Sequence, residues 1–255
     1  MGQGRTDAGV HAAAQVAHID VPESCGQVSK EDLIRGINAF LPPDVRVTDA
    51  WPALDAFHAR FDAVSREYRY LVTTGGSPLL NRVAWCTHRA LDIEILHLLA
   101  SSLLGKHDFI NFCIPQDRES ATTTCSILSC SWKQWALSSP GDYLPVIQRL
   151  DRDTAANEDT KAAESRVSEG CPMMWIFSIK GDRFLRHMVR RLVGSMVQAA
   201  MISSETTTHE AEKRDKSKKM KRWQRLLNGE PCDQKGYTAP AQGLTLLRVN
   251  YDTHT

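Results

Sequence analysis

Gly4-Arg5-Thr6-Asp7-Ala8-Gly9-Val10-His11-Ala12 is the stretch on which the reading of this 255-residue chain turns. It is polar and holds two glycines, so it predicts a tight loop that admits close backbone approach. One carboxylate sits between an arginine and the start of a strand, and a neighbouring arginine favours the ionised form. On residue chemistry alone two readings stand: a structural turn with a surface ion pair, or a positioned catalytic carboxylate.

Outward from this loop, Gln15 to Val21 alternates Ala17, Ile19 and Val21 with His18 and Asp20, a strand pattern. Ser29 and Asp32 predict the cap of a short helix reaching Asn38, ended by Leu41-Pro42-Pro43. Val45 to Trp51 reads as a short strand and Arg66 to Val72 as a firmer one, with Tyr68, Tyr70 and Val72 on one face. Asp92 to Leu104 is an amphipathic helix with Asp92 at the cap and Gly105 past the end. Ile127 to Trp135 and Met174 to Ile179 read as two strands of one sheet. Phe184 to Met201 is a helix with Phe184, Met188, Leu192 and Met196 in one stripe. Leu244 to Tyr251 closes the chain as a strand. The polar stretches at about 138–170 and 203–222 predict insertions, and the lysine run at 213–222 reads as a disordered surface loop or a non-specific RNA contact. Interspersed strands and helices without a βαβα rhythm favour an α+β class.

Composition bounds the function. Net charge is +1, with 42% hydrophobic and 24% charged residues, an ordinary globular balance. Seven scattered cysteines without a C-x-x-C pair predict reduced, buried thiols. No run of about 18 apolar residues predicts a transmembrane helix, and the first residues match neither a signal nor a transit peptide. An intracellular protein is expected, cytoplasmic or organellar, the organellar option resting on the two insertions.

The nonapeptide resembles the signature of the tRNA pseudouridine synthase A (TruA) family, and further blocks follow in family order. Gln15-Val16-Ala17-His18 is similar to the family's next strand, Asn38-Ala39-Phe40-Leu41-Pro42 to its N-x-x-L-P element, and Phe57-His58-Ala59-Arg60-Phe61 to its F-H-A-R-F element. Arg66-Glu67-Tyr68-Arg69-Tyr70 resembles its R-x-Y-x-Y strand, and Gly105 to Phe109 its G-x-H-D-F turn. Phe184 to Gly194 resembles its F-x-x-x-M-V-R-x-x-x-G helix, and Ala239 to Tyr251 its terminal strand.

The resemblance implies an α+β pseudouridine synthase fold: two similar halves of mixed, mostly antiparallel sheet backed by helices, with a cleft between them. The halves fall at 1–75, carrying the catalytic loop, and 76–255. Family members have a further segment before the R-T-D loop, so the first strands of the amino-terminal half are expected to be missing. The implied activity is isomerisation of tRNA uridine to pseudouridine in the anticodon stem and loop, by a homodimer. Asp7 is then the catalytic carboxylate, Arg190 holds it ionised and oriented, and Tyr68 lies over the target base, with Tyr70 the core member of the pair. Breaking N1–C1′ and rejoining through C5 is neither oxidation nor hydrolysis, so no cofactor is expected. Asp7 can serve by attack on C1′ or by removal of the 2′ proton, and the residues leave both open.

Arg5, Arg60, Arg66, Lys180, Arg183, Arg186 and Arg191 are the expected phosphate contacts. His11 and His58 are expected to hydrogen-bond in the cleft wall, because neither has further ligands at metal-binding spacing. Two other classes compete. A tRNA-binding remnant would follow from the missing strands, against which stands the intact set of Asp7, Tyr68 and Arg190. A glycosidase-like hydrolase needs a second carboxylate, which no matched block supplies.

Overall fold

The computed structural model describes residues 1–22, 28–75, 78–114, 122–136, 173–202, 209–231 and 236–252. The expected insertion at 138–170 lies outside them, as do 203–208 of the second insertion. By backbone contact the chain forms two units interleaved along the sequence. One comprises Met1–Arg5, Val16–Ala63 and Tyr251–Thr255; the other comprises Thr6–Gln15 and Val64–Asn250.

The fold is α+β. The larger unit is built on a mixed sheet of seven described strands: β1 (His11–Ala12), β2 (Ala63–Thr74), β3 (Trp85–Thr87), β4 (Gly105–Asp108), β5 (Thr124–Ala136), β6 (Met173–Gly181) and β7 (Leu244–Tyr251). The order is β1-β7-β2-β6-β5-β4, with β3 also on β2. The pairs β2·β6, β5·β6 and β4·β5 are antiparallel, and β1·β7 and β2·β3 are parallel. The long strands expected around 66–72, 127–135, 174–179 and 244–251 are all present.

Alternation along β2 sorts its side chains between the two faces. Tyr70 and Val72 enter the main core, with Tyr68 packed at its margin, while Leu71 joins Leu80, Ala84 and Met174 on the other side. Helices α2 (Ile93–Ser101), α3 (Met188–Ala200) and α4 (His209–Leu227) contribute to the main core through Leu96, Leu99, Leu192, Val193, Met196 and Trp223. Asp92 caps α2 as expected, accepting from the backbone N–H of Glu94 and Ile95. Gly105 sits beyond that helix at φ +97 and begins β4.

Helix α3 begins at Met188 rather than at Phe184, because His187 takes a left-handed conformation at its N-cap, φ 63. The stripe Met188, Leu192, Met196 is fully buried, as its spacing requires. Within α3, Gly194 has no room for a side chain: a Cβ would collide with the carbonyl oxygen of Tyr237. The expected loop at 213–222 is instead part of α4. Trp223, Leu226 and Leu227 are buried and anchor it, and the indole N–H of Trp223 donates to Ser102 Oγ at 2.8 Å.

In the smaller unit, Ser29 caps α1 (Lys30–Phe40) by accepting from the N–H of Asp32. The strand expected at Val45 to Trp51 does not form. The amide of Asn38 occupies the backbone of Val47 on both sides, donating to its carbonyl at 2.9 Å and accepting its N–H at 2.8 Å, as a neighbouring strand would. Nor does Gln15 to Val21 form a regular strand. It makes one antiparallel bridge, Gly2 to Ala17, and Ile19 and Val21 are exposed.

No helix among the described residues is long and apolar enough to cross a membrane. The described cysteines, Cys86, Cys113, Cys125 and Cys130, are free thiols.

Candidate active site

Among the described residues, those that meet at Asp7 belong to the larger unit. The loop that carries it is a four-residue turn closed by the N–H of Val10 donating to the carbonyl of Asp7 at 3.0 Å. Gly9 supplies the left-handed residue such a turn needs, φ +81. Its missing side chain also leaves room for Ala241, since a Cβ there would lie 3.4 Å from that methyl. Strand β1 follows at once and is held in parallel register on β7, His11 opposite Thr245 and Ala12 opposite Leu246. The turn therefore fixes Asp7 against the sheet.

From the other side come Arg190 and His187. Arg190 Nη1 donates to Asp7 Oδ2 at 2.9 Å, and its Nε donates to the carbonyl of Ala239 at 2.8 Å. The N–H of Ala239 donates back to the carbonyl of Arg190 at 3.1 Å. A guanidinium tied at two edges has little freedom left, so it presents one geometry to the carboxylate. The close approach of the 237–239 backbone that makes this possible depends on Gly194.

His187 Nε2 lies 3.1 Å from the same Asp7 oxygen. Burial holds the imidazole below its usual pKa; Asp7 opposes this, while Arg190, Arg186 and Arg191 reinforce it. The ring is thus neutral at pH 7 and makes its contact as an N–H donor. Its left-handed backbone costs about 1–2 kcal/mol for a residue with a Cβ, and the contact with Asp7 is the observation that accompanies that strain. Asp7 keeps 28% of its side chain exposed, against 14% for Arg190 and 20% for His187. One oxygen is thus doubly bonded while part of the carboxylate faces solvent.

Tyr68 extends from β2, edge to face with Phe184 at 5.0 Å between ring centres. Burial raises its phenol pKa, with Arg66 opposing and Asp7 adding to the rise. It is therefore a neutral phenol at pH 7, suited to donate a hydrogen bond and not to act as a phenolate. Tyr70 is fully buried, donates to the carbonyl of Pro240 at 2.7 Å, and sits where a Cβ on Gly243 would collide with its ring.

The expected phosphate contacts divide. Arg66 Nη1 donates to the carbonyl of Asp182 at 2.7 Å, and Arg183 donates to the carbonyls of Thr122 and Thr124. Arg191 donates to the carbonyl of Cys113. These three guanidinium groups tie loops to the sheet and to α3. Arg186 is exposed and Lys180 half-buried on β6. His11 Nε2 is 2.8 Å from the carbonyl of Arg82.

Arg5, His58 and Arg60 belong to the smaller unit. There His58 Nδ1 accepts the N–H groups of Arg60 and Phe61 at 3.2 and 3.3 Å, and Arg60 lies over the Phe61 ring at 5.8 Å. His18 Nδ1 accepts the N–H of Ala59, so the F-H-A-R-F element is a loop closed by two imidazoles. Among the described residues no group of three or more His, Cys, Asp or Glu converges as a metal site would require.

The sequence model of a family described as tRNA pseudouridine synthase matches residues 99–252, which include His187 and Arg190. Similarity to curated proteins extends to the Asp7 loop. The chain is 31% identical to the tRNA pseudouridine synthase A of Chlorobium chlorochromatii over 253 residues, covering 98% of this chain and 81% of that protein.

The chain belongs to the tRNA pseudouridine synthase family.

Other tRNA pseudouridine synthase A proteins match at similar levels. The one from Roseiflexus sp. is 33% identical over 252 residues, covering 97% of this chain and 73% of its own length. The one from Bordetella petrii is 37% identical over 198 residues, or 76% of this chain, which spans 59% of that protein. Within this tRNA pseudouridine synthase family member, of the residues that the sequence singles out, Asp7 and Arg190 are in contact, and Tyr68 packs on Phe184. The sequence had not singled out His187. The available signal was its place, directly before the Met188 stripe and three residues before Arg190.

Proposed function

We propose that this chain isomerises uridine to pseudouridine in tRNA, with Asp7 as the acting carboxylate. The observation that carries the reading is the doubly held Asp7 oxygen, at 2.9 Å from Arg190 and 3.1 Å from His187. A carboxylate clamped on one oxygen and accessible beside it is oriented before substrate arrives, which is the entropic part of catalysis. The reaction breaks the N1–C1′ bond, turns the base and forms the C5–C1′ bond. The proton leaves C5 and N1 gains one, so the product is an isomer. Asp7 assists the first step by attack at C1′ or by taking the 2′ proton; both need the same placement beside the ribose.

In this reading Tyr68 lies against the extruded base and donates from its neutral hydroxyl. His187 and Arg190 are positioning residues that act through Asp7. Arg186 and Lys180, with Arg5, His11, His58 and Arg60, are the proposed phosphate and base-edge contacts, while Arg66, Arg183 and Arg191 support the walls. The target is the anticodon stem and loop, and the working form a homodimer.

Tritium release from tRNA transcripts labelled at uridine C5 tests this. Release with no free uracil is the expected outcome. Salt-sensitive tRNA binding without release would replace the enzyme by a binding protein, and free uracil would mark a hydrolase.

A further inference from the structure

Residues 213–225 hold eight Lys or Arg and one acid, in a chain whose net charge is only +1. Their helix, α4, turns Trp223, Leu226 and Leu227 into the core. At 100° per residue, Arg214, Lys218, Lys221 and Arg225 fall within about 60° of one another on the opposite side, and all four are exposed. Among the described residues, the acids near α4 pair with its flanking lysines or with Arg225 at its end. Lys216, on the flank, pairs with Asp92 at 2.9 Å, and Lys219 with Asp215 at 2.8 Å. Arg225 pairs with Glu230 at 2.9 Å. Among the described residues Arg214, Lys218 and Lys221 have no acidic partner. The result is a cationic crest about 16 Å long, at the 1.5 Å rise of a helix, in which Arg225 alone has an acidic partner among the described residues.

A solvated helix face normally mixes charges or places Glu four residues before Lys, because like charges at that spacing repel. Here Arg214 and Lys218, and Lys221 and Arg225, repeat the cation at i,i+4. That arrangement is costly alone and is relieved by a polyanion running along the helix. The crest also has a defined connection to the Asp7 site. Asn111 donates to the carbonyls of Leu226 and Glu230 at the end of α4. Three residues on, the N–H of Ile114 donates to the carbonyl of Arg186, and Cys113 accepts from Arg191. The turn at 110–114 thus joins α4 to the segment that carries His187 and Arg190.

Resting on the tRNA reading above, we infer that the crest Arg214, Lys218, Lys221 and Arg225 is a phosphate-backbone contact that grips the same tRNA away from the reacting uridine. It is sequence-independent and electrostatic, so it acts on affinity and its salt dependence and leaves the chemistry alone.

The test uses the full chain carrying R214Q, K218Q and K221Q together, with tRNA binding measured from low to physiological salt. Losing three phosphate contacts reduces the slope of log K against log salt by about 2–3 and weakens low-salt binding on the order of 10-fold or more. kcat at saturating tRNA stays at the wild-type value, and R214K/K218R/K221R restores the slope. Gln is close to Lys in helix propensity, so α4 persists, which circular dichroism reports. A wild-type slope in the triple Gln variant, or a slope the charge-conserving variant fails to restore, overturns the inference. If the unaltered chain releases no tritium yet the triple variant loses the slope, the crest stands and the isomerase reading falls.

Discussion

In α3, Arg190 is 14% exposed and ends on a carboxylate and a carbonyl; in α4, Arg214, Lys218 and Lys221 are exposed and have no acidic partner among the described residues. The two helices use the same chemistry under different dielectric conditions. Around Asp7 the charges are close and partly desolvated, so their interaction is strong, short-ranged and geometric. On α4 the charges are screened within about 8–10 Å at physiological salt, so they steer and hold but do not position atoms. Variants in the first helix should therefore move kcat, and variants in the second should move affinity or stability.

The largest effect expected is on stability. Trp223→Ala removes the 2% exposed indole that anchors α4, costing about 3–5 kcal/mol, read as a lower denaturant midpoint with kcat retained. A fall in kcat to match would mean that α4 shapes the Asp7 site. Next comes Arg190→Ala, which frees the Asp7 oxygen and the carbonyl of Ala239. A misplaced carboxylate lowers kcat by about 100-fold or more, and single-turnover rates separate this from binding. Gly194→Ala breaks the same arrangement indirectly: the methyl pushes 237–239 away, costing about 1–3 kcal/mol and moving the acceptor of Arg190 Nε. A midpoint equal to wild type would contradict the close approach.

The smallest effect belongs to His187. His187→Gln weakens one of two bonds to Asp7, which predicts about a 10-fold loss in kcat, or ~1.4 kcal/mol. Its pH signature is more specific. The folded pKa is depressed below the ordinary 6.5, chiefly by burial. As pH falls through 6.5, the unfolded chain takes up this proton before the folded chain does, so stability declines. Denaturant midpoints between pH 7.5 and 5.5 should fall more steeply for wild type than for His187→Gln. Parallel slopes would show that His187 is not held neutral.

Much of this was legible from local pattern. The stripe Met188, Leu192, Met196 locates α3, and the 66–72 alternation puts Tyr68, Tyr70 and Val72 on one face; only the family resemblance separates Tyr70 as the core member from Tyr68. What was missed has physical causes. The apolar periodicity runs on to Phe184, four residues before the observed start of α3, because His187 at φ 63 carries no sequence signal of a helix stop, and the same residue is a partner of Asp7. The lysine run by itself reads as a loop, because the anchors that make α4 a helix, Trp223, Leu226 and Leu227, lie just beyond it. The strand expected at Val45 to Trp51 failed because Asn38, a side chain, took the place of a neighbouring strand. Arg66, Arg183 and Arg191, expected phosphate contacts from their place beside the matched elements, also donate to carbonyls within the folded chain, long-range partners that no local pattern shows.

The most direct test is a single-turnover tritium-release measurement on tRNA labelled at uridine C5, comparing the unaltered chain with Asp7→Asn. Asn keeps the size of the side chain and can still accept from Arg190 and His187, but it carries no charge. Release by the unaltered chain, none by Asp7→Asn, and the same tRNA affinity for both is the predicted result. Release by Asp7→Asn at a rate comparable to wild type would contradict the assignment of Asp7 as the acting carboxylate.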